Sequence, residues 1–288
     1  MTESIHPNTT VGAVHLTVPD IERSLSFYQQ NLGFKLQRRE GDTAYLGAGG
    51  SSFLALTERP GARPALRATG LYHFAILVPS RLKLAQSLRR MAETRTPVQG
   101  ASDHLVSEAI YLDDPDGNGI EIYRDRPRAE WQLPGGQIRM ATEPLDIDGV
   151  MAEMEGKPEP WTGLHPATVL GHMHLKVANI AEAEAFYSGV LGFDLMARYG
   201  SAASFLSAGG YHHHIGMNTW ESAGAPPPPP DSVGLRWFTI RLPDAAELGK
   251  VAERVREAGL SLEEYADGLF VRDPAQNGVV LTAEDGAS

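Results

Sequence analysis

The sequence predicts an α+β fold of four βαβββ modules, arranged as two halves and closing into two open barrel-like sheets. Two observations lead there. Residues 11 to 34, VGAVHLTVPDIERSLSFYQQNLGF, return at 170 to 193 as LGHMHLKVANIAEAEAFYSGVLGF, and DDPDGNGIEIY at 113 to 123 returns as RDPAQNGVVLT at 272 to 282. Within each copy a short apolar strand leads into a helical stripe and then into short strands parted by Gly-rich turns.

The elements follow in order. Val11 to Val18 reads as a β-rich strand, and Asp20 is placed to cap a helix with the stripe Ile21, Leu25, Tyr28 and Leu32, which Gly33 ends. With the strands around the GAGG turn at 47 to 50, this makes a first module over 10–60. A second, over 69–126, opens at Gly70-Leu71-Tyr72-His73-Phe74-Ala75-Ile76, has a helix after Pro79, and ends in a hairpin whose turn is DPDGNG. Residues 127–166, rich in Pro and charge, read as the linker between an N-terminal half (1–126) and a C-terminal half (167–288), with a helix around Asp146 to Met154. In the third module, 168–220, Asn179 and Glu182 form a capping-box pattern before Phe186, Tyr187 and Leu191, and Gly192 closes the helix. The fourth, 233–284, follows a run of five prolines, which has no N–H groups to give a central sheet and is expected as an exposed polyproline-type segment.

Composition excludes several classes. The 288 residues, 42% of them hydrophobic, are enough for two halves with real cores. A net charge of −11 with no Lys/Arg-rich run argues against nucleic acid as a partner. No apolar stretch approaches the roughly 18 residues that cross a bilayer, so no membrane association is expected and a cytoplasmic location is the default. With no cysteine, any metal must be held by imidazole nitrogen and carboxylate oxygen.

Duplication allows paired positions to be compared. Glu121 stands where the other copy has Val280, His73 where it has Trp237, and His172 where it has Ala13. The scaffold positions survive, but the metal-type side chains survive once each. His73, Glu121 and His172 together make a two-histidine, one-carboxylate set, the ligand combination of non-heme Fe(II) oxygen chemistry. Tyr111 lies ten residues before Glu121, across the hairpin. His15 and His174 share a frame in both copies, including the copy without ligands, and read as structural. Alternation along a strand is expected to send His212 and His214 to the face opposite His213.

Four features together resemble the vicinal-oxygen-chelate superfamily of glyoxalases, bleomycin resistance proteins and extradiol dioxygenases. They are the module plan, histidines five residues before the strand-ending Val78 and Val177, Glu121 in G-N-G-I-E-I-Y, and H-H-I-G-M from His213. Within it, the chain is most similar to type I extradiol dioxygenases of the two-half catechol 2,3-dioxygenase type. The resemblance implies the vicinal oxygen chelate fold, Fe(II), with Mn(II) acceptable, on His73, Glu121 and His172, and a small aromatic diol and O2 as partners. It also implies that His213 acts as acid and base and that Tyr111 donates to a substrate oxygen. His104 lies seven residues before Tyr111 where the better-known relatives have nine, so its place in the site is open. Since the ligands come from the second and third modules, those two are expected to share the active cavity, and the first and fourth a Trp-filled degenerate one. The expected reaction is meta cleavage of catechol or a substituted catechol to a hydroxymuconic semialdehyde. A glyoxalase I-type isomerase or lyase needs a second carboxylate at the metal, and a non-enzymatic binding protein needs no metal set. Homo-oligomerisation stays open.

Overall fold

The first module is built as β1 (Thr10–Val18), α1 (Ile21–Ser26), β2 (Lys35–Glu40), β3 (Thr43–Gly47) and β4 (Ser52–Glu58). The second is β5 (Gly70–Leu77), α2 (Arg81–Thr94), β6 (Gly100–Asp103), β7 (Ser107–Asp113) and β8 (Gly119–Asp125), followed in the connecting segment by β9 (Glu143–Pro144) and α3 (Ile147–Ala152). The third is β10 (Val169–Lys176), α4 (Ile180–Glu184), β11 (Asp194–Tyr199), β12 (Ala203–Ser207) and β13 (Ile215–Asn218). The fourth is β14 (Gly234–Leu242), α5 (Ala245–Glu257), β15 (Glu263–Tyr265), β16 (Gly268–Arg272) and β17 (Gly278–Ala283). This computed structural model of the chain describes residues 3–134, 138–156, 159–266 and 268–284.

Two curled sheets result, and each joins modules from different halves of the chain. An eight-stranded sheet runs β15-β16-β17-β14-β1-β4-β3-β2, and a nine-stranded one runs β11-β12-β13-β10-β5-β8-β7-β6-β9. In the second sheet β5 and β10 are antiparallel neighbours, with His174 opposite His73 and His172 opposite Ala75. The connecting segment contributes directly to it, because β9 pairs with β6.

Strand alternation decides which side chains see the core. Phe74 and Ile76 of β5, and Met173 and Leu175 of β10, are fully buried in the core shared with Val14 and Leu16 of β1 and Phe238 and Ile240 of β14. Each such side chain contributes roughly 1.5–3 kcal/mol by leaving water. The intervening residues, His73, Ala75, His172, His174 and Lys176, therefore face the concave side of the sheet.

The helices after β1 and β10 differ from the regular α-helices expected. Asp20 caps the first through Arg23 N at 3.0 Å, but Phe27–Asn31 is a π-helical turn, and Ala185–Val190 repeats it in the third module. The wide turn coincides with Tyr28 and Tyr187, whose hydroxyls reach buried Asp114 and Asp273. Asn179 caps Ala181 N and Glu182 N, yet Glu182 bonds the Asn179 side-chain amide rather than completing the box on its backbone. The proline run at 226–230 carries no regular structure. No helix among the described residues is long and apolar enough to cross a membrane.

Candidate metal centre

His73 comes from β5, Glu121 from β8 and His172 from β10, three adjacent strands of the nine-stranded sheet. Parallel pairing of β5 with β8 sets Glu121 opposite Ala75, and so diagonally from His73 on the concave face. Glu121 Oε2 lies 2.9 Å from His73 Nε2 and 3.1 Å from His172 Nε2, and the two imidazole nitrogens are 3.4 Å apart. Ligand atoms about 2.1 Å from a common ion and at right angles to one another stand about 3 Å apart, so this triangle fits one face of an octahedral site. One proton can bridge only a pair of these groups, whereas a cation bridges all three. Among the described residues this is the only group of His, Asp or Glu with such geometry, and it contains a single carboxylate. The corresponding positions of the other sheet hold Ala13, Trp237 and Val280. There Trp237 packs edge-on to His15 at 4.8 Å and donates to the Tyr265 hydroxyl at 3.0 Å.

The electrostatics suit metal binding. Burial pushes the Glu121 carboxyl up, but His172 and His73 beside it hold it well below the usual carboxylate range. Burial lowers His172 to about 4 against the pull of Glu121. At neutral pH the carboxylate is ionised and the ring is neutral, the protonation states a metal requires of its ligands.

Above the triad opens a cavity of about 760 Å³ lined by His73, Glu121, Tyr111, His104, His174 and His213, with Tyr72, Phe205 and Trp220 among its aromatic walls. His172 lies behind this lining, 1% exposed. Tyr111 is the direct cross-strand partner of Glu121. Burial first, and the charge of Glu121 second, hold its phenol well above the ordinary value. His104 does reach the site: its Nδ1 donates to the Ala141 carbonyl at 2.7 Å, and its Nε2 lies 2.6 Å from the Tyr111 hydroxyl. Tyr111 thus stands between His104 Nε2 and the Glu121 carboxylate, whose charge and hydrogen bond both raise the phenol. Ala141 belongs to the connecting segment, which explains why spacing from Tyr111 alone could not place His104.

The His212–His214 triplet precedes β13 rather than lying on it, so strand alternation does not govern it. His213 faces the cavity with its ring centroid 4.1 Å from that of His172, and burial, then His172 and His212, lower its pKa well below the usual value. Fully buried His212 turns to the same side, its Nδ1 2.8 Å from His213 Nδ1 and its Nε2 2.9 Å from Asp125 Oδ1. His212 was expected on the face opposite His213 and lies beside it instead, while Asp125 carried no motif of its own. Period-two alternation along β8, which sets 121, 123 and 125 on one face, was the signal for Asp125. His174 accepts from Asn218 Nδ2 at 3.0 Å, and His15 bonds Thr57 at 2.7 Å in the matching place. A histidine retained in both copies thus has a strand-bracing partner in both, although His174 also lines the cavity.

Comparison with known proteins agrees with this architecture. The family model described as Glyoxalase/Bleomycin resistance protein/Dioxygenase superfamily matches residues 10–122 and 169–281. A catechol-2,3-dioxygenase of Bacillus subtilis (strain 168) is 46% identical over 282 residues, covering 96% of this chain and 98% of its own. Among solved structures, a Bacillus subtilis protein provisionally assigned as a dioxygenase superposes with a TM-score of 0.67 at 13% identity, covering 98% of this chain and 86% of its own. Glyoxalase I from Zea mays does so with 0.58 at 17% identity, covering 96% and 92%. At such identities the structural likeness speaks for the fold alone, whereas the family match and the 46% relative speak for descent. The chain belongs to the glyoxalase/bleomycin resistance protein/dioxygenase superfamily.

Proposed function

We propose that this chain is an extradiol ring-cleaving dioxygenase that opens catechol or a substituted catechol with O2 to a hydroxymuconic semialdehyde, using Fe(II), or Mn(II) in its place, on His73, Glu121 and His172. The observation that carries the reading is the convergence of two imidazoles and one carboxylate at 2.9–3.4 Å under a cavity that His213 also lines. The 46% relative named for this activity supports it. A glyoxalase I-type reaction lacks its second carboxylate among the described residues.

A divalent metal on these ligands supplies Lewis acidity and open coordination positions. The remaining chemistry falls to side chains. His213 Nε2 takes a proton from the diol as it enters and returns one as the ring opens. Tyr111, braced by His104, donates to a substrate oxygen and fixes which edge of the ring faces His213. Tyr72, Phe205 and Trp220 give the ring apolar walls and limit water around the developing charge. A cavity of about 760 Å³ has room for catechol or a substituted catechol.

The test is oxygen uptake by anaerobically Fe(II)-loaded protein on addition of catechols. Stoichiometric O2 consumption with a yellow ring-opened product is expected. Tight iron binding without oxygen uptake on any catechol or hydroquinone would end the proposal.

A further inference from the structure

We infer that Asp125 and His212 are positioning residues that set the tautomer of His213, leaving its cavity-facing nitrogen as a free base. The inference rests on the reading of His213 as the acid and base.

The proton directions follow from the contacts. Asp125 accepts at Oδ1 from His212 Nε2 at 2.9 Å, and the Tyr211 hydroxyl donates to the same carboxylate at 3.0 and 3.1 Å. Tyr211, its proton committed, accepts from Tyr123 at 2.8 Å. An ionised carboxylate only accepts, so His212 Nε2 carries a hydrogen. A neutral His212 then has a bare lone pair at Nδ1. That lone pair faces His213 Nδ1 at 2.8 Å, and a hydrogen bond forms only when His213 Nδ1 carries the proton. Neutral His213 is left with its Nε2 unprotonated, and it makes no other hydrogen bond among the described residues.

This is the logic by which a buried acid orients a catalytic imidazole, extended by one further ring. Asp125, 28% exposed at its side chain, anchors one end, and fully buried His212 transmits the orientation. A solvated His213 would favour the other tautomer, with its hydrogen on Nε2, and would meet an incoming diol with a donor instead of a lone pair. The Tyr123–Tyr211 pair holds the Asp125 carboxylate in place.

A purely structural chain would brace residues 211–214 without fixing the proton. Two-bond 1H–15N spectra of the full chain, labelled at histidine and loaded with diamagnetic Zn2+, separate the two. The wild-type spectrum is expected to show His213 protonated at Nδ1 and bare at Nε2, and a proton on Nε2 overturns the inference without recourse to any variant. In the Fe(II)-loaded protein, His212→Phe fills the space without an acceptor, and kcat is expected to fall about 100-fold with KM within about threefold. His212→Gln, whose amide oxygen accepts from His213 Nδ1, is expected to restore kcat to within about fivefold of wild type. If His212→Phe fails to fold, Asp125→Ala is read instead, with a mixture of His213 tautomers expected. An unchanged kcat in His212→Phe, or an unchanged tautomer in Asp125→Ala, overturns the relay. Should His213→Ala turn over normally while the wild-type spectrum shows the Nδ1–H form, the acid–base reading fails and the tautomer assignment stands.

Discussion

The hydroxyl of Tyr28 donates to Asp114 Oδ2 at 2.9 Å across a fully buried contact, linking the first helix to the DPDGNG turn of the second module. Asp114 also accepts from Asn118 Nδ2 at 2.8 Å and from the backbone of Asp116 and Asn118. Tyr187 and Asp273 repeat the pair at 3.0 Å. The sheets thus join modules from opposite halves, while these hydrogen bonds fasten the two modules within each half. Tyr28→Phe strips one donor from a buried acid and should lower stability by about 1–3 kcal/mol, measured by urea unfolding. A loss below about 0.5 kcal/mol would make the link incidental.

Glu121 supplies the only charge in the triad. A divalent metal at about 100 times its Kd should stabilise the folded chain by about 2.7 kcal/mol. Glu121→Gln should abolish that increment and leave the dialysed protein without metal by elemental analysis. Metal retained at wild-type stoichiometry would mean that the ion sits elsewhere.

Tyr111→Phe removes the oxygen that faces substrate but leaves the ligands in place. A fall in kcat of about 10- to 100-fold with unchanged metal content is expected, read by steady-state oxygen uptake. Activity equal to wild type would remove Tyr111 from the chemistry.

Gly171 is a packing requirement of the site. A Cβ there would meet the Tyr123 hydroxyl at 1.9 Å and the ring at 2.8 Å, next to His172 in the chain. Gly171→Ala should therefore lower stability by about 1–3 kcal/mol and weaken metal retention, since Tyr123 must move and its ring packs against His172. An alanine variant with wild-type unfolding and metal content would show that the strand shifts freely.

His15 gives the stability an acid limb. Burial, then the charge of Arg236, lowers its pKa from 6.5 to about 4, with Asp42 opposing. The unfolded chain therefore binds a proton that the folded chain refuses, so this contribution is complete above pH 6.5 and is lost as pH falls toward 4. The slope is about 1.4 kcal/mol per pH unit at most. His15→Gln should flatten stability against pH by about one proton in that window, as followed by urea unfolding at several pH values. An unchanged slope would show that His15 does not titrate as its burial implies.

Much of the site was legible because duplication supplies its own control. Ala13, Trp237 and Val280 mark by contrast which of His73, Glu121 and His172 are not scaffold, and Tyr111 followed from the hairpin that opposes it to Glu121. His212 was expected opposite His213 and turns to the same side, since alternation holds only for extended backbone and the triplet lies outside the strand. His104 was ambiguous for a related reason, because its orienting acceptor, the Ala141 carbonyl, comes from a remote segment.

Local sequence determined the modules, their order and the candidate ligands, because strand alternation, caps and turn residues act over a few positions. The ligand set pointed to the second and third modules as partners, but only the tertiary structure decided the register of β5 beside β10 that brings side chains 99 positions apart to 3.4 Å, and that His104 meets Tyr111. The physical reason is range. A strand's pattern states which face is buried but not which neighbour completes the sheet, and a hydrogen bond's direction depends on every partner its atoms meet.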